Sequence, residues 1–125
     1  MSLLVEVFVR DPDGEMRILD VPDDVYQSGG FESWRKTVWG SPTARSLGAR
    51  LLPLLAIDDL YVEAPDVPAL LAEVDLLRTH AAELARATAR VCTSEQQRRG
   101  IEQRLRIIEE SCRKALEIGG GVLIW

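Results

Sequence analysis

Residues 66–118, DVPALLAEVDLLRTHAAELARATARVCTSEQQRRGIEQRLRIIEESCRKALEI, decide the fold. Val67, Leu70, Val74, Leu77, Ala81, Leu84, Thr88 and Val91 recur at spacings of three and four, which is one apolar stripe along a helix. Asp66 precedes the stripe as its expected cap, and Pro68 is tolerated in a first turn whose N–H groups have no intrahelical partner. Ile101, Leu105, Ile108, Cys112 and Ala115 form a second stripe, opened by Thr93-Ser94, where Ser94 and Gln97 have capping-box spacing. Glu102–Arg106, Glu109–Arg113 and Glu110–Lys114 are i,i+4 pairs suited to its solvent face. Gly119-Gly120-Gly121 ends the second helix by permitting left-handed backbone. Almost no loop separates the two stripes, which predicts an antiparallel helical hairpin. Cys92 then lies at the hairpin turn and Cys112 about 27 Å along the second helix at 1.5 Å per residue. A disulfide needs Cα atoms within about 7 Å, so the geometry forbids one within the chain.

Working outward, Val122-Leu123-Ile124-Trp125 reads as a short buried strand with Trp125 capping the core, and Leu60-Tyr61-Val62-Glu63-Ala64 as another. At the N-terminus, Leu3, Val5, Val7 and Val9 alternate with Leu4, Glu6, Phe8 and Arg10. That period of two marks a strand with one face more buried. Asp11-Pro12-Asp13-Gly14 is a strong turn signal, and Glu15–Val21 resumes an extended pattern, so residues 3–21 read as a β-hairpin. Residues 22–30 read as loop. Phe31, Trp34 and Val38 share a face of a short helix over 31–39. Ser41-Pro42 starts another helix, expected to run to Leu52 before Pro53. The predicted order is β-β-α-α-β-α-α-β. The class is α+β, with a small, largely antiparallel sheet covered by the long C-terminal antiparallel helical hairpin.

A chain of 125 residues, 46% hydrophobic and 28% charged, suits one globular domain spanning 1–125. No apolar run approaches the roughly 18 residues of a membrane span, and the N-terminus lacks the pattern of a signal peptide. The expected location is the cytoplasm. Arginine-for-lysine bias with abundant Ala and Leu hints at a bacterial source. Net charge is −5, and residues 1–66 hold twelve acidic and six basic side chains against eight and nine in 67–125. An acidic chain repels phosphate backbones, which argues against nucleic acid and anionic membranes as partners.

No motif for chemistry emerges. His80 is the only histidine, with no serine or cysteine sharing its face to make a nucleophile–base pair. Asp11, Asp13, Gly14 and Glu15 place glycine at the fourth position, where a calcium loop needs it at the sixth. No CxxC or Cys/His spacing suggests zinc. The glycine run passes from helix to strand, the reverse of a phosphate-binding loop. The sequence thus calls for no catalytic residue, no metal and no cofactor. Phe31, Trp34 and Trp39, beside Arg35 and Lys36, are interface-type residues, with Phe31 and Trp34 expected inside and Trp39 partly outside.

In size, acidity and lack of catalytic parts the chain resembles, by type, the small immunity proteins that neutralise bacterial toxins. The resemblance implies a non-enzymatic protein-binding module whose basic partner is met by complementary charge. Asp11, Asp13, Glu15, Asp20, Asp23, Asp24, Asp58 and Asp59, with Trp39, are the expected docking surface. The alternatives are a homo-oligomer assembled through the helical hairpin or the terminal strand, and an enzyme or small-ligand binder built from scattered residues around a polar pocket with a carboxylate pair.

Overall fold

The computed structural model describes residues 2–21 and 27–125, and Asp23 and Asp24 lie outside them. The class is as expected, α+β with a small antiparallel sheet. The strands are β1 (Ser2–Arg10), β2 (Met16–Ile18), β3 (Ser28–Phe31), β4 (Leu60–Val62) and β5 (Gly121–Ile124). The order runs β2-β1-β5-β4, and β3 pairs with the first residues of β1. Every pairing among the described residues is antiparallel. The two ends of the chain meet at the sheet's centre, with Val5 opposite Ile124 and Val7 opposite Val122.

The hairpin forms as its turn chemistry demands. Asp11 O accepts from Gly14 N–H at 2.8 Å, Asp13 Oδ1 accepts from Glu15 N–H at 3.1 Å, and Gly14 takes φ +88°. β3 forms in part of the stretch expected to be loop, since its sequence, Ser-Gly-Gly-Phe, has no apolar alternation to mark a strand. The glycines are there for packing. A side chain at Gly29 would collide with Val5, and Gly30, at φ +117°, lies against the Trp34 ring.

Residues 35–39 form a single π turn rather than α-helix. Its i→i+5 bonding sets residue 39 beside residue 34, where α-periodicity would place it about 140° round. Trp39 is therefore wholly buried, stacked edge-on against Trp34, with its Nε1 donating to the Gly29 carbonyl at 2.8 Å. Phe31, at the end of a strand, is half exposed. These two placements reverse the expected ones.

Helix α1 (Pro42–Ser46) starts where expected, with Ser41 Oγ accepting from Ala44 N–H. It stops early because Gly48, at φ +113°, turns the chain, and Pro53 instead opens a 3₁₀ turn over Leu52–Ala56. The long helix divides into α2 (Val67–Thr79) and α3 (Ala81–Thr88). Thr79 Oγ1 bonds back to the Asp75 carbonyl at 2.9 Å, a contact that bends helices, and His80 leaves helical geometry. Asp66 makes no side-chain cap because the chain is already in a 3₁₀ turn there. Val91, beyond the end of α3, is fully exposed.

Helix α4 (Ser94–Ile118) returns antiparallel to α2 and α3. Its capping box is Thr93 with Gln96, one residue before the expected pair. Both registers satisfy the spacing. Gln97 is drawn inward, where its Nε2 donates to Thr88 Oγ1 at 3.1 Å, and Gln96 is left free to cap. The stripe of Ile101, Leu105, Ile108, Cys112 and Ala115 is fully buried against both the sheet and α2–α3. Of the three expected i,i+4 pairs Glu109–Arg113 forms, at 2.9 Å, while Glu102 turns back to Arg98 at 2.5 Å.

Candidate functional site

Alternation along β1 and β5 sends Leu3, Val5, Val7, Val122 and Ile124 into the helix-covered core. The opposite parity is Leu4, Glu6, Phe8, Arg10 and Leu123, joined through cross-strand pairing by Ile18, Tyr61 and Trp125. Phe8 and Leu123 are nearly inaccessible, yet they stand outside the main core cluster. They are the centre of a second apolar patch, on the sheet face opposite the one that the long helices cover among the described residues. Around them Leu4, Ile18, Tyr61 and Trp125 are 42%, 37%, 52% and 45% exposed.

This face is held in a set geometry. Gly121 leaves room for the Phe8 ring, because a Cβ there would collide with that ring and with the Val62 carbonyl. The Arg10 guanidinium sits 5.3 Å from the Phe8 ring centre and forks onto Glu63, with Nη2 to Oε2 at 2.7 Å and Nε to Oε1 at 3.2 Å. Hydrogen bonding from Arg10 holds the Glu63 carboxyl below its usual range. Trp125, expected as a cap on the core, lies on this open face with its Nε1 donating to Glu6 Oε2 at 2.9 Å. Its indole is thereby oriented while its ring stays accessible.

Among the described residues, the acids of the expected docking surface do not lie together. β4 runs in the same direction as β1, with Leu60 level with Val5, so Asp58 and Asp59 sit near the start of β1. Asp11, Asp13 and Glu15 sit beyond its end, about 25 Å away at 3.3 Å per residue. Several of these acids also have local work. Asp11 meets Arg17 at 3.4 Å, and Asp59 meets Arg35 at 2.6 Å. Asp13 and Asp58 accept from backbone N–H groups of their own turns. Asp20 and Glu15 are exposed, and buried Trp39 has no surface to offer. The charge is nonetheless polarised. Residues 2–21 and 57–66, which supply β1, β2, β4 and their loops, carry nine carboxylates against two arginines.

Elsewhere, a groove of about 540 Å³ between the start of the 3₁₀ turn and α2 is lined by Gly48, Leu51, Ala69, Ala72 and Leu76, with Arg50 and Asp66 at its edges. Its one inward carboxylate, Glu73, is spent. Glu73 accepts from the backbone N–H groups of Arg50 at 2.6 Å, Leu51 at 2.9 Å and Leu52 at 2.7 Å, closing the N-terminus of the 3₁₀ turn. This residue went unremarked in the sequence, although an acid three after Leu70 and four before Leu77 lies within the buried stripe. Asp66, exposed and seven residues before Glu73, is the other carboxylate in the lining. A smaller cleft, about 350 Å³, runs between Phe31, Trp34 and the 88–92 turn, where Cys92 Sγ donates to Gln97 Oε1 at 3.4 Å. Neither cysteine is bridged, and burial pushes the Cys112 thiol up to about 12.

His80 is partly exposed, 3.9 Å from Glu83. Among the described residues no cluster of three metal-ligating side chains occurs, and no helix is long and apolar enough to cross a membrane. No family model, curated protein or solved structure matches the chain.

Proposed function

We propose that this chain is a non-enzymatic binding module that docks a basic protein partner on the open face of its sheet. The observation that carries the reading is the uncovered patch of Leu4, Ile18, Tyr61 and Trp125 around buried Phe8 and Leu123. Rigid aromatic anchors of this kind, rimmed by charge, are what interface hot spots are made of. The strands span about 15 Å, three spacings of about 4.8 Å. A stable interface buries about 800 Å² per partner, more than four side chains supply, so the surrounding acidic segments complete it. Their excess of carboxylate selects a basic partner and speeds encounter at low salt. An immunity-type inhibitor, filling the basic cleft of a toxin, is the specific role that suits this combination.

Self-association has less support. The apolar stripes of the helices are consumed in the core, and β5 is paired on both sides and offers no edge.

Affinity capture with the tagged wild type and a Tyr61→Glu, Trp125→Glu double variant, side by side from the native cells, tests the reading. A basic protein held stoichiometrically by the wild type, released as salt rises and lost by the folded double variant is the expected result. Equal capture by both forms overturns the sheet-face assignment.

A further inference from the structure

Beyond its face, the sheet has an edge. β5 exchanges Leu4–Trp125 hydrogen bonds with β1, Leu4 N–H to Trp125 O at 2.7 Å and Trp125 N–H to Leu4 O at 3.0 Å. Antiparallel ladders alternate, so Leu123 also directs its N–H and C=O at β1, and Val122 and Ile124 direct theirs at β4. Leu60 and Val62 take up those bonds. The backbone groups of Tyr61 therefore point away from the sheet, together with the Glu63 N–H and the Asp59 C=O. None of these four groups bonds to backbone or side chain among the described residues. A donor–acceptor ladder of this kind is a template for another strand.

Edges are commonly protected by lysine; the charged side chains that this edge's own segment supplies are acids, of which Asp59 and Glu63 are paired with Arg35 and Arg10 and Asp58 and Asp66 have no ion pair among the described residues. No basic residue occurs from 51 to 77, a stretch that includes Asp58, Asp59, Glu63 and Asp66. A second copy laid along the edge would bring the Asp58 and Asp66 carboxylates, which no arginine offsets among the described residues, against like charge, which is destabilising in cross-strand pairs. A basic strand would meet them with opposite charge. We propose that the partner adds a basic, extended segment to the outer edge of β4, its main chain bonding to Tyr61 and Glu63 and alternate side chains passing onto the open face beside Tyr61. This rests on the sheet-face reading and specifies the form of the partner.

Glu63 makes the edge testable. Its φ of −69° is the angle proline imposes, and its N–H has no partner to lose. Glu63→Pro therefore removes one edge donor without strain, and Glu63→Ala controls for the lost Arg10 ion pair. The probe is a ten-residue peptide of alternating lysine and valine, followed by fluorescence anisotropy and amide exchange. Expected are new protection at the Tyr61 and Glu63 amides of the wild type, and binding about fivefold weaker for Glu63→Pro than for Glu63→Ala, the worth of one backbone hydrogen bond. Overturning results are equal binding by the two variants, no protection at Tyr61 and Glu63, or equal binding of a peptide with glutamate in place of lysine. The two readings fail separately. A captured partner lost with Tyr61→Glu, Trp125→Glu but held equally by both Glu63 variants leaves the face and removes the edge.

Discussion

Glu73→Ala should be among the most damaging single substitutions in the chain, although it deletes a carboxylate from a helix. In the folded state three consecutive N–H groups converge on that carboxylate. The Arg50 and Leu51 donors adjoin the groove, so water can replace the lost acceptor there. The Leu52 donor is buried, and water cannot reach it. An orphaned buried donor costs about 1–3 kcal/mol, and a hydrogen bond to a charged group contributes about 1.5–3 kcal/mol. After allowance for rehydration of the two outer donors, the loss should be about 3–4 kcal/mol. Against a total stability of about 5–15 kcal/mol that is a large fraction. Urea unfolding followed by the fluorescence of buried Trp34 and Trp39 measures it. At a slope of about 1.5 kcal/mol per molar urea, the midpoint should fall by roughly 2 M. Glu73→Gln, which keeps one carbonyl oxygen but turns an N–H₂ toward the donors, should lose about half as much. Glu117→Ala, on the exposed face of α4, should stay within about 0.5 kcal/mol of wild type. A midpoint moved no further by Glu73→Ala than by Glu117→Ala would mean that the three-donor cap contributes nothing to stability.

Three further outcomes follow from local geometry. Hydrogen bonds from Arg78 and then Arg113 hold the Glu109 carboxyl below its usual range, so its stabilisation is fully present above about pH 4.3 and fades as pH falls through the lower folded value. Glu109→Gln should therefore be about 1 kcal/mol less stable than wild type at neutral pH, with the gap closing as unfolding is repeated toward about pH 3. Gly121→Ala should cost more than about 2 kcal/mol or abolish folding, because its Cβ meets the Val62 carbonyl and the Phe8 ring, whereas Gly119→Ala, strained only by φ +71°, should cost about 1 kcal/mol in thermal unfolding. A thiol reagent should modify Cys92 in the folded protein and reach Cys112 only as fast as the chain unfolds; prompt modification of both would contradict the buried placement of Cys112.

Hydrophobic periodicity made the helical stripes, the N-terminal hairpin and the terminal strand legible, because burial of a regular element leaves a regular mark in sequence. It was silent or misleading where polar contacts over long separations chose the conformation. Thr79 bonding back to Asp75 broke a stripe that looked continuous, and Gln97 reaching Thr88 moved the cap of α4 by one residue. The π turn that buried Trp39 follows no α-periodicity. The candidate site was hardest to read. Leu4, Tyr61 and Trp125 are separated by most of the chain, and only the pairing of β1, β4 and β5 brings them onto one face.

The class of fold, the antiparallel helical pair, the separation of the two cysteines and the concentration of acid in the N-terminal half are all written in the sequence. Each of these is a property of composition or of neighbours within a few turns of chain. Strand order and register place Asp58 and Asp59 at the opposite end of the sheet from Asp11, Asp13 and Glu15, leave one sheet face without a helix among the described residues, and make β4 rather than β5 an edge strand. Order and register are set by how distant segments share one core and leave no periodic trace in any of them.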